Sequence, residues 1–360
     1  MIISFKKSVT GALLVLTVLA LVASGCGNDD DGGSGGADEL PTILTTTSIW
    51  ADVVANVTCN GLADVVTLIP PGGDPHAFQP SMQDRARMDA AALIVANGLD
   101  LEEGLLDTIE AVEDSGTPVF HMTDHIETIE FAMGMESEHH DEEGENGHEE
   151  HDEDEHGHDG HHEEEGEHGH EEHEKEDEHG HHHHGGDDPH IWFDPVKVAG
   201  AIPALSEALG AVAGLDADAV STCGDEYREE LVSLDAEIQN ILEPIPSQSR
   251  LLVTNHDALG YFANRYGFKL LGTVLPAGST LGAANPSAMQ ELVKLIERTE
   301  VRAIFAESTS SSQDTEALGR EAGVNVVVLD TGSLGPAGSD SSTYVGFMRT
   351  NARKIADALG

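Results

Sequence analysis

Along residues 40–132, apolar positions fall into short β-branched runs separated by stretches in which they recur at helical spacing. The pattern predicts strands over 42–46, 65–69 and 93–96, a short one at Val119-Phe120, and helices over 49–57, 82–91 and 101–112. Ile49, Val53, Val54 and Val57 line one face of the first helix, with Ser48 as its cap. From Asp194-Pro195, a cap followed by proline in the first turn, a helical region runs with interruptions to about residue 242. Leu231, Leu234, Ile238 and Leu242 mark its apolar face. After Pro244 and Pro246 a second series begins, with strands over 251–254, 270–274, 301–306 and 325–329. Helices over 258–266, 286–298 and 314–322 alternate with them, and 344–359 closes the chain. Strands alternating with helices of this length predict an α/β fold of two lobes, each a parallel sheet with flanking helices, joined by a long linking helix.

Residues 136–188 break the pattern. They hold 16 of the 21 histidines, 25 acidic residues and one lysine, with no aromatic residue. Such a segment cannot bury enough apolar surface to offset its ordering entropy and is predicted to be disordered without metal. The expected division is therefore a signal segment over 1–26, a Gly/Asp/Ser-rich tether over 27–39, a first lobe over 40–135 and the insert over 136–188. A return segment and linking helix follow over 189–243, and a second lobe over 244–360.

The chain carries a net charge of −50, of which the insert contributes −24. A surface of this sign repels phosphate backbones and attracts cations, which excludes nucleic acid as a partner. The acidity outside the insert also fits a protein of a salty habitat. Lys6 and Lys7 precede an apolar stretch over 9–22, too short to span a membrane comfortably, which runs into Ala23-Ser24-Gly25-Cys26. This resembles a lipoprotein signal, with Cys26 lipidated and anchoring the protein to the membrane, although Ala23 stands where leucine is usual. An ordinary cleaved signal is the other reading. In an oxidising compartment Cys59 and Cys223 are then an even pair, expected to form a disulfide rather than two isolated buried thiols.

Candidate chemistry lies at the ends of the apolar runs. His76 and His190 each stand in an Asp-Pro-His frame, His256 follows the strand over 251–254, and Asp330 follows the strand over 325–329. In parallel sheets ligands bind at the carboxyl ends of strands. Three imidazoles and one carboxylate make a four-coordinate zinc site, and His76, His190, His256 and Asp330 are its expected ligands, two from each half of the chain. Each residue alone has a bland alternative: a surface histidine, a turn-forming Asp-Pro, an aspartate capping a turn. His121 and His125 are read as incidental.

The segments 70–80, 188–195 and 255–262, with Phe305-Ala306-Glu307 and Val328-Leu329-Asp330, resemble the zinc-binding components of bacterial metal-uptake ABC transporters, the ZnuA type of cluster A-I solute-binding proteins. The resemblance covers nearly all of 40–360. It implies a rigid linking helix, and a monomer that delivers Zn2+ to a membrane permease driven by a cytoplasmic ATPase. It further implies that zinc rather than manganese is bound, since manganese members carry glutamate at the position of His256. Glu307 is expected to support the site rather than to ligate, and the fourth position can fall to water instead of Asp330. The insert sits where zinc-type members carry a histidine-rich loop and is expected to gather zinc weakly, or else to be a solvated linker.

Two other function classes compete. An extracellular zinc hydrolase needs an open coordination position and a base, for which Asp257 is a candidate, but the chain lacks His-Glu-x-x-His and Gly-x-Ser-x-Gly. A surface adhesin finds no adhesive motif. The absence of a P-loop assigns ATP hydrolysis to a partner.

Overall fold

A computed structural model describes residues 40–132, 186–276 and 278–360. The expected signal segment with Cys26, the expected tether and nearly all of the histidine-rich insert lie outside the described residues.

Two four-stranded, wholly parallel sheets carry the fold. The first is built from β1 (Thr42–Thr45), β2 (Asp64–Thr67), β3 (Leu93–Ala96) and β4 (Val119–His121), in the order β2-β1-β3-β4. The second repeats that order with β5 (Leu251–Thr254), β6 (Lys269–Thr273), β7 (Ala303–Glu307) and β8 (Asn325–Leu329), as β6-β5-β7-β8. The crossovers are α1 (Ser48–Val57), α2 (Met82–Asp89) and α3 (Leu106–Asp114) in the first half. In the second half, α6 (Gly260–Tyr266), α7 (Pro286–Thr299) and α8 (Gln313–Ala322) play that part. Between the halves run α4 (Pro195–Gly210) and α5 (Ala217–Leu242), and α9 (Tyr344–Leu359) ends the chain.

Local sequence sets the helix ends. Thr47, not Ser48, caps α1, its hydroxyl accepting from Trp50 N. Ser48 is already helical, and its hydroxyl instead accepts from Leu334 N at 3.0 Å and lies 3.0 Å from Ser333 Oγ, tying α1 to the second half. Ser81 and Asp84 form a capping box on α2. Asp194 caps α4 ahead of Pro195, and Asn285 caps α7 ahead of Pro286. The helix expected over 101–112 is split: a 3-10 turn at Glu103–Leu105 precedes α3. Leu99 and Asp100 are left-handed just before it, while buried Glu102 accepts from Thr46 Oγ1 and Asn97 N, so this stretch serves the loop rather than the helix.

The linking helix α5 has 26 residues, a length of roughly 39 Å at 1.5 Å per residue. It buries Val220, Tyr227, Leu231, Leu234, Ile238 and Leu242. Two paired guanidinium–carboxylate contacts fix it to the second half: Arg265 on Asp235 at 2.6 and 2.9 Å, and Arg349 on Glu237 at 2.7 and 2.8 Å. A disulfide, Cys59–Cys223, joins the end of α1 to α5. The largest hydrophobic core runs through both halves, by way of Trp50, Trp192, Phe262 and Phe347 among others, so the described residues pack as a single unit. No helix of the described residues is long and apolar enough to cross a membrane.

Candidate metal centre

Parallel topology directs the carboxyl ends of the strands toward one region, and the three expected histidines meet there. His76 lies in the loop after β2, His256 two residues past β5, and His190 just before the 3-10 turn Ile191–Phe193. They are 3%, 2% and 2% exposed. Their ligand atoms lie within 4.8 Å of one another. His190 is the central ring, with its Nε2 at 3.3 Å from Nε2 of His76 and 3.2 Å from Nε2 of His256.

The far nitrogen of every ring faces a carboxylate. His76 Nδ1 is 3.2 Å from Glu103 Oε1, His190 Nδ1 is 2.8 Å from Asp188 Oδ1, and His256 Nδ1 is 2.5 Å from Glu307 Oε1. A carboxylate accepts, so each neutral imidazole carries its proton on Nδ1 and turns an Nε2 lone pair inward. Three lone pairs converging at this spacing repel one another unless a cation lies among them. Tetrahedral bonds of about 2.0–2.1 Å from zinc to nitrogen give nitrogen–nitrogen edges of about 3.3–3.4 Å, which matches the two short separations. Carboxylate–imidazole–metal relays of this kind fix tautomer and ring direction together.

Charge in the site is arranged for exchange of protons against a metal ion. Burial pushes His256 down, but the Glu307 carboxylate beside it prevails and holds the imidazole above its ordinary value. Burial likewise pushes Glu307 up, and the His256 charge and hydrogen bonds outweigh it, leaving Glu307 below the usual range. Burial raises Asp188 to about 7 and, with the two neighbouring imidazoles, keeps His190 well below its ordinary value. In the metal-free site His256 and Asp188 therefore hold protons more readily than usual, and a divalent ion competes with those protons. Apparent metal affinity is therefore expected to fall as pH drops from about 7 toward 5, and binding should release protons. Calorimetric titrations in buffers of different ionisation enthalpy check this: identical observed heats would contradict it.

Asp330, the fourth expected ligand, is not brought to the imidazoles. Asn351 on α9 grips its backbone from both sides, accepting from Asp330 N at 3.0 Å and donating to Asp330 O at 2.6 Å. Its carboxylate turns to Lys354 Nζ, 3.5 Å away. Alanine at Asp330 is thus expected to change zinc affinity less than about threefold, read by chelator competition; a loss of the 10–100-fold size seen for groups that support metal ligands would return Asp330 to the site. His121 and His125 also lie apart. His121 faces Glu113 at 3.9 Å, and His125 stacks on Phe120 at 4.5 Å.

Glu307 takes the supporting place expected of it, at the end of β7, and its other oxygen accepts from Thr331 Oγ1 at 3.2 Å. Glu103 and Asp188 were not singled out by sequence. Asp188 had one available signal, its place two residues before a histidine in a repeated frame, whereas Glu103 comes from 27 residues away.

Comparison with known proteins places the fold in a family. The family model described as "Zinc-uptake complex component A periplasmic" matches residues 43–358. The manganese-binding lipoprotein MntA of Bacillus subtilis is 26% identical, the match covering 97% of this chain and 99% of that protein. The zinc-binding protein TroA of Treponema pallidum is 27% identical over 98% and 99%. The solved structure of that periplasmic zinc-binding protein superposes with a TM-score of 0.69 at 26% identity, covering 89% of this chain and 99% of that one. A periplasmic metal-binding protein from Candidatus Liberibacter asiaticus shares the fold, with a TM-score of 0.66 at 23% identity over 89% and 100%. These are binding proteins, which removes the hydrolase alternative. With a match that spans both sheets and all three histidines, the chain belongs to the ZnuA family of metal-binding, solute-binding components of ABC transporters.

Proposed function

We propose that the protein captures Zn2+ outside the cytoplasm at His76, His190 and His256 and delivers it to a membrane permease powered by a cytoplasmic ATPase. The observation that carries this reading is the convergence of three Nε2 atoms, each backed by a carboxylate on Nδ1. Relatives are named for manganese as well as zinc. The choice of zinc here rests on donor type: three imidazole nitrogens favour zinc, whereas an oxygen-rich site suits manganese. Water completes the coordination, since Asp330 is engaged with Lys354. The protein acts as a monomer, tethered to the membrane through lipidated Cys26. Competitive titration with Zn2+ and Mn2+ tests the metal, with zinc expected to win by at least about a hundredfold. Equal affinity for the two ions would overturn the zinc assignment.

The histidine-rich insert, in this reading, gathers zinc at low affinity for the site between the lobes. Deleting 136–185, which spares Asp187 and Asp188, is expected to lower the stoichiometry to one ion and to slow uptake only when zinc is scarce. Unchanged uptake at scarce zinc would refute the collecting role.

A further inference from the structure

The two Asp-Pro-His frames begin alike and end differently. In both, the aspartate Oδ1 accepts from the backbone N of the histidine two residues on, at 3.0 Å for Asp74 and 2.9 Å for Asp188. With its second oxygen Asp74 then accepts from Thr280 Oγ1 at 2.6 Å, and His76 must find its carboxylate elsewhere, in Glu103. Asp188 instead turns Oδ1 onto His190 Nδ1 as well. His190 alone among the three ligands is oriented from within its own tripeptide.

This arrangement is costly. Asp188 is 0% exposed, and its Oδ2 has no hydrogen-bond partner. Leaving a buried carboxylate oxygen bare costs free energy that packing does not return. Its surroundings nevertheless hold it in place. Asp188 N donates to Ile129 O at 2.7 Å, beside the antiparallel bridge Glu130–Asp187 that closes the root of the insert. From the second half of the chain, Tyr261 Oη accepts from Ile129 N at 3.2 Å. Next to it, Gly260 opens α6 directly against Asp188: a β-carbon there would overlap Asp188 Oδ2 and reach Ile129 Cδ1 at 3.7 Å. Only glycine lets the carboxylate stand where it meets His190. The Gly-Tyr pair that follows His256 in sequence therefore serves a different ligand.

We propose that Asp188 is the positioning residue for His190, and that Gly260 is a glycine in order to leave room for it. The root of the insert and the first turn of α6 then jointly aim the central imidazole. This rests on the three-imidazole reading above and goes beyond it by naming what directs one ligand.

The test uses the full-length protein, with Zn2+ affinity of the tightest site read by chelator competition and coordination read by the visible absorption of the Co2+-loaded form. Asp188→Asn keeps an acceptor oxygen but removes the charge. It is expected to weaken zinc binding about 10–100-fold and to alter the cobalt spectrum, which a residue that only holds the fold would leave alone. Gly260→Ala should cost a similar factor in the native background. In an Asp188→Ala background it should cost less than about twofold, because the group it displaces is gone. Wild-type affinity and spectrum for Asp188→Asn, or an equal Gly260→Ala penalty in both backgrounds, would overturn the proposal. His190→Ala, run alongside, separates the two levels. If it loses the site while Asp188→Asn does not, only the positioning role fails; if it also binds like wild type, the three-imidazole reading fails.

Discussion

Alanine at His190 is expected to raise the zinc dissociation constant by more than about a hundredfold, exceeding the 10–100-fold effects typical of groups that merely support a ligand. His190 is the ring that lies close to both others, so its loss leaves two nitrogens with no third donor between them. It also strands Asp188, a fully buried carboxylate whose remaining oxygen already lacks a partner. No other group stands ready to replace it: among the described residues, the one cluster able to hold a metal is this trio. Chelator competition with Zn2+ reads the effect. A change smaller than about tenfold would mean that the ion does not depend on this imidazole.

The second large effect concerns stability. Cys59 and Cys223 are bonded across a sequence separation of 164 residues, linking α1 to α5. Closing so long a loop restricts the unfolded chain by roughly 4–5 kcal/mol in the chain-entropy model. Replacing both cysteines with serine should thus lower the melting temperature by roughly 5–8 °C for a chain of this size. The metal site should survive, since neither cysteine touches it. Differential scanning calorimetry of the metal-free protein measures the shift, and an unchanged melting temperature would show that the bond contributes nothing to stability.

Much of the fold was legible because parallel sheets write themselves plainly. β5, for instance, is a short apolar run between Pro246 and the polar turn at Asn255-His256-Asp257, and the next helix follows within a few residues. The three histidines were legible as well, since His76 and His256 follow strands and parallel sheets place ligands at the carboxyl ends of strands. What local sequence does not encode is which way a side chain turns once there. Asp330 has the right place after β8, yet Asn351 and Lys354, more than twenty residues later on α9, rotate it away. Nor does sequence reveal the groups behind the rings, because Glu103 and Glu307 arrive from 27 and 51 residues beyond the histidines they orient. The cap of α1 illustrates the same point in miniature. Ser48 has the chemistry of a cap, but a partner 285 residues away claims its hydroxyl, and Thr47 caps instead.

Anomalous diffraction at the zinc edge, from crystals of the zinc-loaded protein, addresses the three-imidazole site directly. The expected result is an ion bonded at about 2.0–2.1 Å to Nε2 of His76, His190 and His256, with Asp330 still on Lys354. An ion bound without one of those three imidazoles, or found only elsewhere in the chain, would contradict it.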